Sequence, residues 1–175
     1  MTRGQEKTAT AETGRHRPEC QDRLTIEFPL DGFTQKKLDN LSKLVAAKET
    51  IMKQALGIDY PLRIEILEDR IAFSWFDAVA DSAQVNAYAQ LIAAICCTAK
   101  EKTRVYPPQK KGYPNPRYAM RSWLNAIGLI GDEFKLIRKL MTASLPGDSA
   151  WSTGVDPRKV KQDAAKATVC RRASV

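Results

Sequence analysis

Few residues in this chain could act on a substrate directly. The 175 residues include a single histidine, His16, and four cysteines, Cys20, Cys96, Cys97 and Cys170. No CxxC pair occurs. His16 and Cys20 have a loose metal-ligand spacing but no second ligand pair to close a zinc site. His16 also lies in a polar stretch, MTRGQEKTATAETGRHRPE, far from any serine or cysteine nucleophile held on a regular element. There is no glycine-rich phosphate loop, no GxSxG elbow and no HExxH. Glu65, Glu68 and Asp69 cluster where a tight turn is expected. Paired carboxylates could hold a metal or work as acid and base, but at a turn they are ordinarily solvated. The residue types therefore point away from an enzyme and call for no cofactor.

The richer chemistry is cationic. In RYAMRSWLNAIGLIGDEFKLIRKLM, residues 117–141, Lys135, Arg138 and Lys139 recur at i, i+3 and i+4 and share one helical face. Beside them runs an apolar stripe of Phe134, Ile137 and Met141. Arg117 and Arg121, four apart, share a face of the preceding helix. Two amphipathic helices at a glycine-bearing bend, the second basic, resemble a helix-turn-helix. The second helix carries no Asn or Gln to read base edges, so phosphate contact is the better expectation. Upstream, Lys110 and Lys111 lie among Tyr106, Tyr113 and Tyr118, a mixture of charge and aromatic rings suited to single-stranded nucleic acid.

The net charge of +8 is unevenly spread. Residues 1–99 hold 12 Lys/Arg against 14 Asp/Glu, residues 100–145 hold 10 against 3, and residues 146–175 hold 6 against 3. Concentrated positive charge favours a polyanion. No apolar run reaches the roughly 18 residues of a membrane span, and the N-terminus has no signal-like apolar stretch. A cytoplasmic protein with reduced thiols is the expectation.

The elements that would position these residues follow from periodicity. Leu24, Ile26 and Phe28 alternate with polar residues as in a half-buried strand that Pro29 ends. Leu38, Leu41, Leu44, Val45, Met52, Ala55 and Leu56 define a helix over about 34–56, with Thr34 as N-cap and Gly57 closing it. Leu62, Ile64 and Ile66, then Ile71, Phe73 and Trp75, read as a hairpin with Glu68-Asp69 at its tip. Asp81 or Ser82 starts a second long helix, about 81–104. After VYPPQKKGYPNP, Asn115-Pro116 restarts helix, and Asp132 is placed to cap the last one. The fold class is α+β: a small three-stranded sheet (β-α-β-β-α) covered by helices, then a C-terminal helix pair. The chain divides into a polar tail (1–22), an α+β core (23–106), a proline-rich basic loop (107–115), the helix pair (116–151), expected as a separate lobe, and a polar basic tail (152–175).

IEFPLDGFTQKKLDNLSKLV, RIAFSWF and especially YAMRSWLNAIGLIGDEFKLIRKLMTASLPGDSAW resemble small proteins encoded on integrative conjugative elements and prophage-like islands of Gram-positive bacteria. These often carry the label "virulence-related" with no mechanism attached. The likeness spans about residues 24–151 and is most specific from Gly131 to Trp151. It implies a mobile-element accessory protein and brings no catalytic or binding residues with it. Two functions fit the sequence. The first is non-enzymatic binding of nucleic acid, most naturally DNA, or of a nucleoprotein complex, through Lys135, Arg138, Lys139, Arg117, Arg121, Lys110 and Lys111. The second is a protein-binding module, an inhibitor of host defence or a conjugation adaptor, marked by an exposed apolar patch around Trp75, Phe76 and Trp151.

Overall fold

The computed structural model describes residues 23–78, 80–105 and 112–152. Strand β1 (Arg23–Pro29) leads into helix α1 (Gln35–Leu56), a hairpin of β2 (Glu65–Ile66) and β3 (Arg70–Asp77), helix α2 (Ser82–Glu101), helix α3 (Pro116–Ala126) and helix α4 (Lys135–Ala143). The sheet is antiparallel in the order β1-β3-β2. The α+β class and the β-α-β-β-α order are therefore as the periodicity predicts.

The strong local signals hold. Leu24, Ile26 and Phe28 turn inward from β1 while Thr25 and Glu27 stay exposed. Gly57, at φ 69°, closes α1 with its N–H on the Lys53 carbonyl, a backbone geometry that costs glycine little. Asp81 opens α2 with a reciprocal capping box to Gln84.

The hairpin departs from expectation in two ways. β2 is only two residues long, and Leu62 and Ile64 lie before it in irregular chain. Glu68 and Asp69 do form the tip, with Leu67 N–H on the Arg70 carbonyl at 2.8 Å. Among the described residues no non-glycine residue has positive φ, so this tight turn lacks the twist that keeps hairpin strands paired. The second departure is in β3. Leu24 pairs with Phe76 but Ile26 with Phe73, so β3 carries an extra residue, a bulge. Trp75 and Phe76, although adjacent, are thereby both buried to 1% exposure. The apolar patch expected around them does not exist on the surface, and Trp151 is itself half-buried. Trp75 Nε1 donates to the Arg63 carbonyl at 2.6 Å, and Tyr60 Oη donates to the Trp75 carbonyl at 3.0 Å. Those bonds hold residues 60–63 against β3 without a strand ladder.

The helix pair is not a separate lobe. α4 packs on α1 and α2, and α3 packs on α4 and α1. Met120, Trp123, Leu124, Ile137 and Met141 join Leu41, Met52, Leu91 and Ile95 in one hydrophobic core. Buried polar side chains mark the joints. Asn40 on α1 donates to the Lys102 carbonyl at the end of α2 at 2.7 Å. Asn115, 3% exposed, accepts from Tyr118 N–H as the N-cap of α3, while its Nδ2 donates to the Asp148 carbonyl at 2.7 Å and to the Trp151 carbonyl. Gly147, at φ 100°, passes so close that a Cβ there would strike the Asn115 carboxamide.

Asn115→Ala should therefore lose a helix cap and leave two backbone carbonyls unpaired, costing about 2–4 kcal/mol. Chemical denaturation measures this; a loss below about 0.5 kcal/mol, the range of ordinary surface changes, would show that the joint is not needed.

Candidate nucleic-acid interface

The seven cations expected to bind nucleic acid separate into three groups. Lys110 and Lys111, with Tyr106, fall outside the described residues. Arg117, Arg121 and Arg138 are engaged with the protein's own backbone. Arg117 Nε donates to the Thr142 carbonyl at 3.1 Å and its Nη2 to the Ala143 carbonyl at 3.2 Å, which satisfies the last turn of α4. Arg121 Nη1 donates to the Ser149 carbonyl at 3.2 Å. Arg138, half-buried, gives Nη1 to the Leu129 carbonyl at 2.8 Å and so ties the α3–α4 connection to α4. Lys135 and Lys139 form the third group. Both are exposed on α4, one turn apart, and neither side-chain ammonium makes a hydrogen bond or ion pair with a described residue.

None of the five described cations pairs with a carboxylate among the described residues. Each arginine keeps N–H groups beyond those given to carbonyls, since a guanidinium has five. The arginine charges are thus fixed in place and the lysine charges are free to move. Lys135 sits in the first turn of α4, where the helix dipole repels a cation, so its position is no aid to stability.

The helix-turn-helix likeness is limited by the connection. Residues 127–134 separate α3 from α4, longer than the 3–4-residue turn of that motif. Asp132 does not cap α4 with its side chain; Lys135 N–H bonds its backbone carbonyl at 3.0 Å, and the helix starts later than the sequence implies. Tyr113 is also unlike a base-stacking platform. Its hydroxyl donates to the Ala47 carbonyl at 3.2 Å and accepts from Lys48 Nζ at 3.3 Å, which docks residue 113 onto α1. Tyr118 lines a shallow cleft with Lys48, Ser122 and Trp123.

At the hairpin tip Arg70 bonds Asp69 at 2.8 Å and Glu27 at 2.8 Å. The Arg70 guanidinium holds the exposed Asp69 carboxyl below its usual range, opposite to what a general acid at neutral pH requires. Glu65 and Glu68 stand exposed. No group of three or more His, Cys, Asp and Glu side chains converges on a metal-sized site among the described residues. No described helix is long and apolar enough to cross a membrane.

Sequence reasoning missed two exposed apolar residues in this region: Ile130, in the α3–α4 connection, is 63% exposed and Leu136, on α4, 39%. Leu136 flanks the charged face on the Lys139 side, which helical spacing shows in the sequence. Exposure of Ile130 depends on the path of the connection. No family model, curated protein or solved structure matches the chain.

Two outcomes follow. Arg138→Met leaves the Leu129 carbonyl without its charged donor and should cost about 1–2 kcal/mol, whereas Lys135→Ala and Lys139→Ala should stay within about 0.5 kcal/mol of the parent. Equal effects in denaturation curves would contradict the division between structural arginines and free lysines. Burial, with the neighbouring Cys97 adding to it, pushes the Cys96 thiol up to about 12, while Cys97 is exposed. Native-state alkylation followed by peptide mapping should modify Cys97 and spare Cys96 until the chain is unfolded; early modification of Cys96 would mean that α2 is not packed as described.

Proposed function

We propose that this protein is a non-enzymatic, cytoplasmic accessory protein that binds nucleic acid, most naturally DNA, through α4 and the start of α3. The resemblance to small proteins of conjugative elements and prophage islands suits that role, whether the target is bare nucleic acid or a nucleoprotein complex. The observation that carries the reading is the set of five cations, Arg117, Arg121, Lys135, Arg138 and Lys139, none neutralised by a carboxylate among the described residues. In this reading Lys135 and Lys139 reach phosphates directly. The three arginines contribute charge from fixed positions, and Lys110 and Lys111 extend the track. Contact of this kind is sequence-tolerant and salt-dependent, because each neutralised phosphate releases counterions.

The protein-binding alternative, an inhibitor of host defence or a conjugation adaptor, moves to a new place. Its apolar contact would be Ile130 and Leu136 rather than the buried Trp75 and Phe76. Such binding would be nearly insensitive to salt.

The test is binding of labelled duplex and single-stranded DNA across a salt series, by the parent chain and by a Lys135→Ala, Lys139→Ala variant that keeps Arg138. The expected result is weaker binding and a log–log salt slope shallower by about 2, roughly one for each lost phosphate contact. A variant with the parent's affinity and slope would remove α4 from the interface.

A further inference from the structure

Strand β1 stands at the edge of the sheet, paired on one side only, with β3. Among the described residues its backbone makes no hydrogen bond on the other side. The next residue, Leu30, bonds the Asp69 carbonyl through its N–H at 3.0 Å, so its backbone groups face the β3 side. Those groups alternate along an extended strand, so Leu24, Ile26 and Phe28 also face β3, and Arg23, Thr25 and Glu27 turn theirs to the open edge. Pro29 falls in the outward set, where its missing N–H breaks no bond to β3. The inward side chains of β1 are left half-buried, whereas Ile71 and Phe73 on β3 are fully buried. An edge of this kind is a template for another strand unless something covers or charges it. The helix packed on β1 does neither: α2 has no charged side chain from Ser82 to Ala99.

We propose that β1 pairs antiparallel with β1 of a second copy of this chain, joining two three-stranded sheets into one across a two-fold axis at Thr25. The argument for a second copy is the sequence Arg-Leu-Thr-Ile-Glu, which complements itself when reversed. With Thr25 opposite its counterpart, Arg23 of each copy stands opposite Glu27 of the other, and Leu24 opposite Ile26. Thr25 and the Arg23–Glu27 pairs each exchange two backbone bonds across the junction. Leu24 and Ile26 gain apolar neighbours on the inner face, and opposite charges meet on the outer one. An axis at Ile26 would instead set Pro29 against Arg23, where an N–H is needed, and leave the charges unmatched. Glu27 gives Oε2 to Arg70 at 2.8 Å and keeps Oε1 for the second copy. Asp69 offsets the Arg70 charge by a bond of its own at 2.8 Å. Arg23 stacks over the Tyr60 ring at 3.7 Å and lies across from Asp77 on β3, and its guanidinium has N–H groups to spare. The contact is isologous, so one edge serves both copies and none is left open. It uses no cation of α3 or α4 and does not rest on the nucleic-acid reading.

Sedimentation velocity of the full chain over a range of concentration reads the contact, with circular dichroism to confirm that each variant folds. Thr25→Pro removes an N–H from the open edge and should abolish the dimer. Thr25→Val keeps that N–H, loses only the hydroxyl, and should associate as the parent does. Arg23→Glu and Glu27→Arg each set like charges opposite one another at both ends of the junction. Each alone should associate about tenfold more weakly. An equimolar mixture of these two variants again pairs opposite charges at both ends, so a mixed dimer of near-parental strength should return. Arg23 and Glu27 are exposed, so this pair of variants decides the matter even if Thr25→Pro does not fold. A parent that is monomeric at every concentration, a folded Thr25→Pro chain that dimerises as the parent does, or a mixture no stronger than either charge variant alone would overturn the proposal.

Discussion

Asn115 is the joint on which the C-terminal half of the molecule depends. It is buried, and its one carboxamide caps α3 while holding the carbonyls of Asp148 and Trp151. A buried amide left short of partners costs far more than a surface bond contributes, so residues 148–151 have one place to go. Gly147 permits the close approach, and Arg117 and Arg121 extend the same clamp along α3 to Thr142, Ala143 and Ser149. With that clamp closed, Ile137 and Met141 of α4 face the core that α1 and α2 begin. The outer side of α4, with Lys135, Leu136 and Lys139, is thereby set toward solvent.

This arrangement divides the basic residues by chemistry. A guanidinium is planar and always charged, and it can bond carbonyls while keeping other N–H groups free. The three arginines of α3 and α4 sit where carbonyls need donors. An ammonium on a flexible stem suits an exposed site whose partner varies. Lys100, on α2, shows the exception: its Nζ donates to the Asp31 carbonyl at 2.7 Å and lies over the rings of Phe28 and Phe33, pinning the β1–α1 loop. Several basic residues in this fold thus act as fasteners, while the ammonium groups of Lys135 and Lys139, like those of the exposed Lys36, Lys43 and Lys102, bond no described residue.

Local features were the legible ones. The alternation in β1, the glycine at the end of α1, Asp81 before α2 and Asn115-Pro116 before α3 all act within a few residues of themselves. The structure places each where those rules predict. What stayed hidden depends on distant partners. Arg138, Arg121 and Arg117 bond carbonyls 9 to 28 residues away, which helical spacing cannot reveal. The burial of Phe76 next to Trp75 depends on a bulge set by pairing with β1, and period-2 counting assigns the two to opposite faces. The basic face was therefore visible as a cluster, but not the split between structural and free charges within it.

In the proposed reading the outward face of α4 is a contact surface for a polyanion, held in place by arginines with a structural task. The most direct measurement is an NMR titration of the assigned backbone amides with a short DNA duplex at low salt. The expected shifts concentrate on residues 135–143 and the adjoining start of α3 and reverse as salt is raised, with the outer face of the sheet around Thr25 and Glu27 unmoved. Shifts centred on the sheet or the hairpin tip, or no shifts at α4, would contradict it.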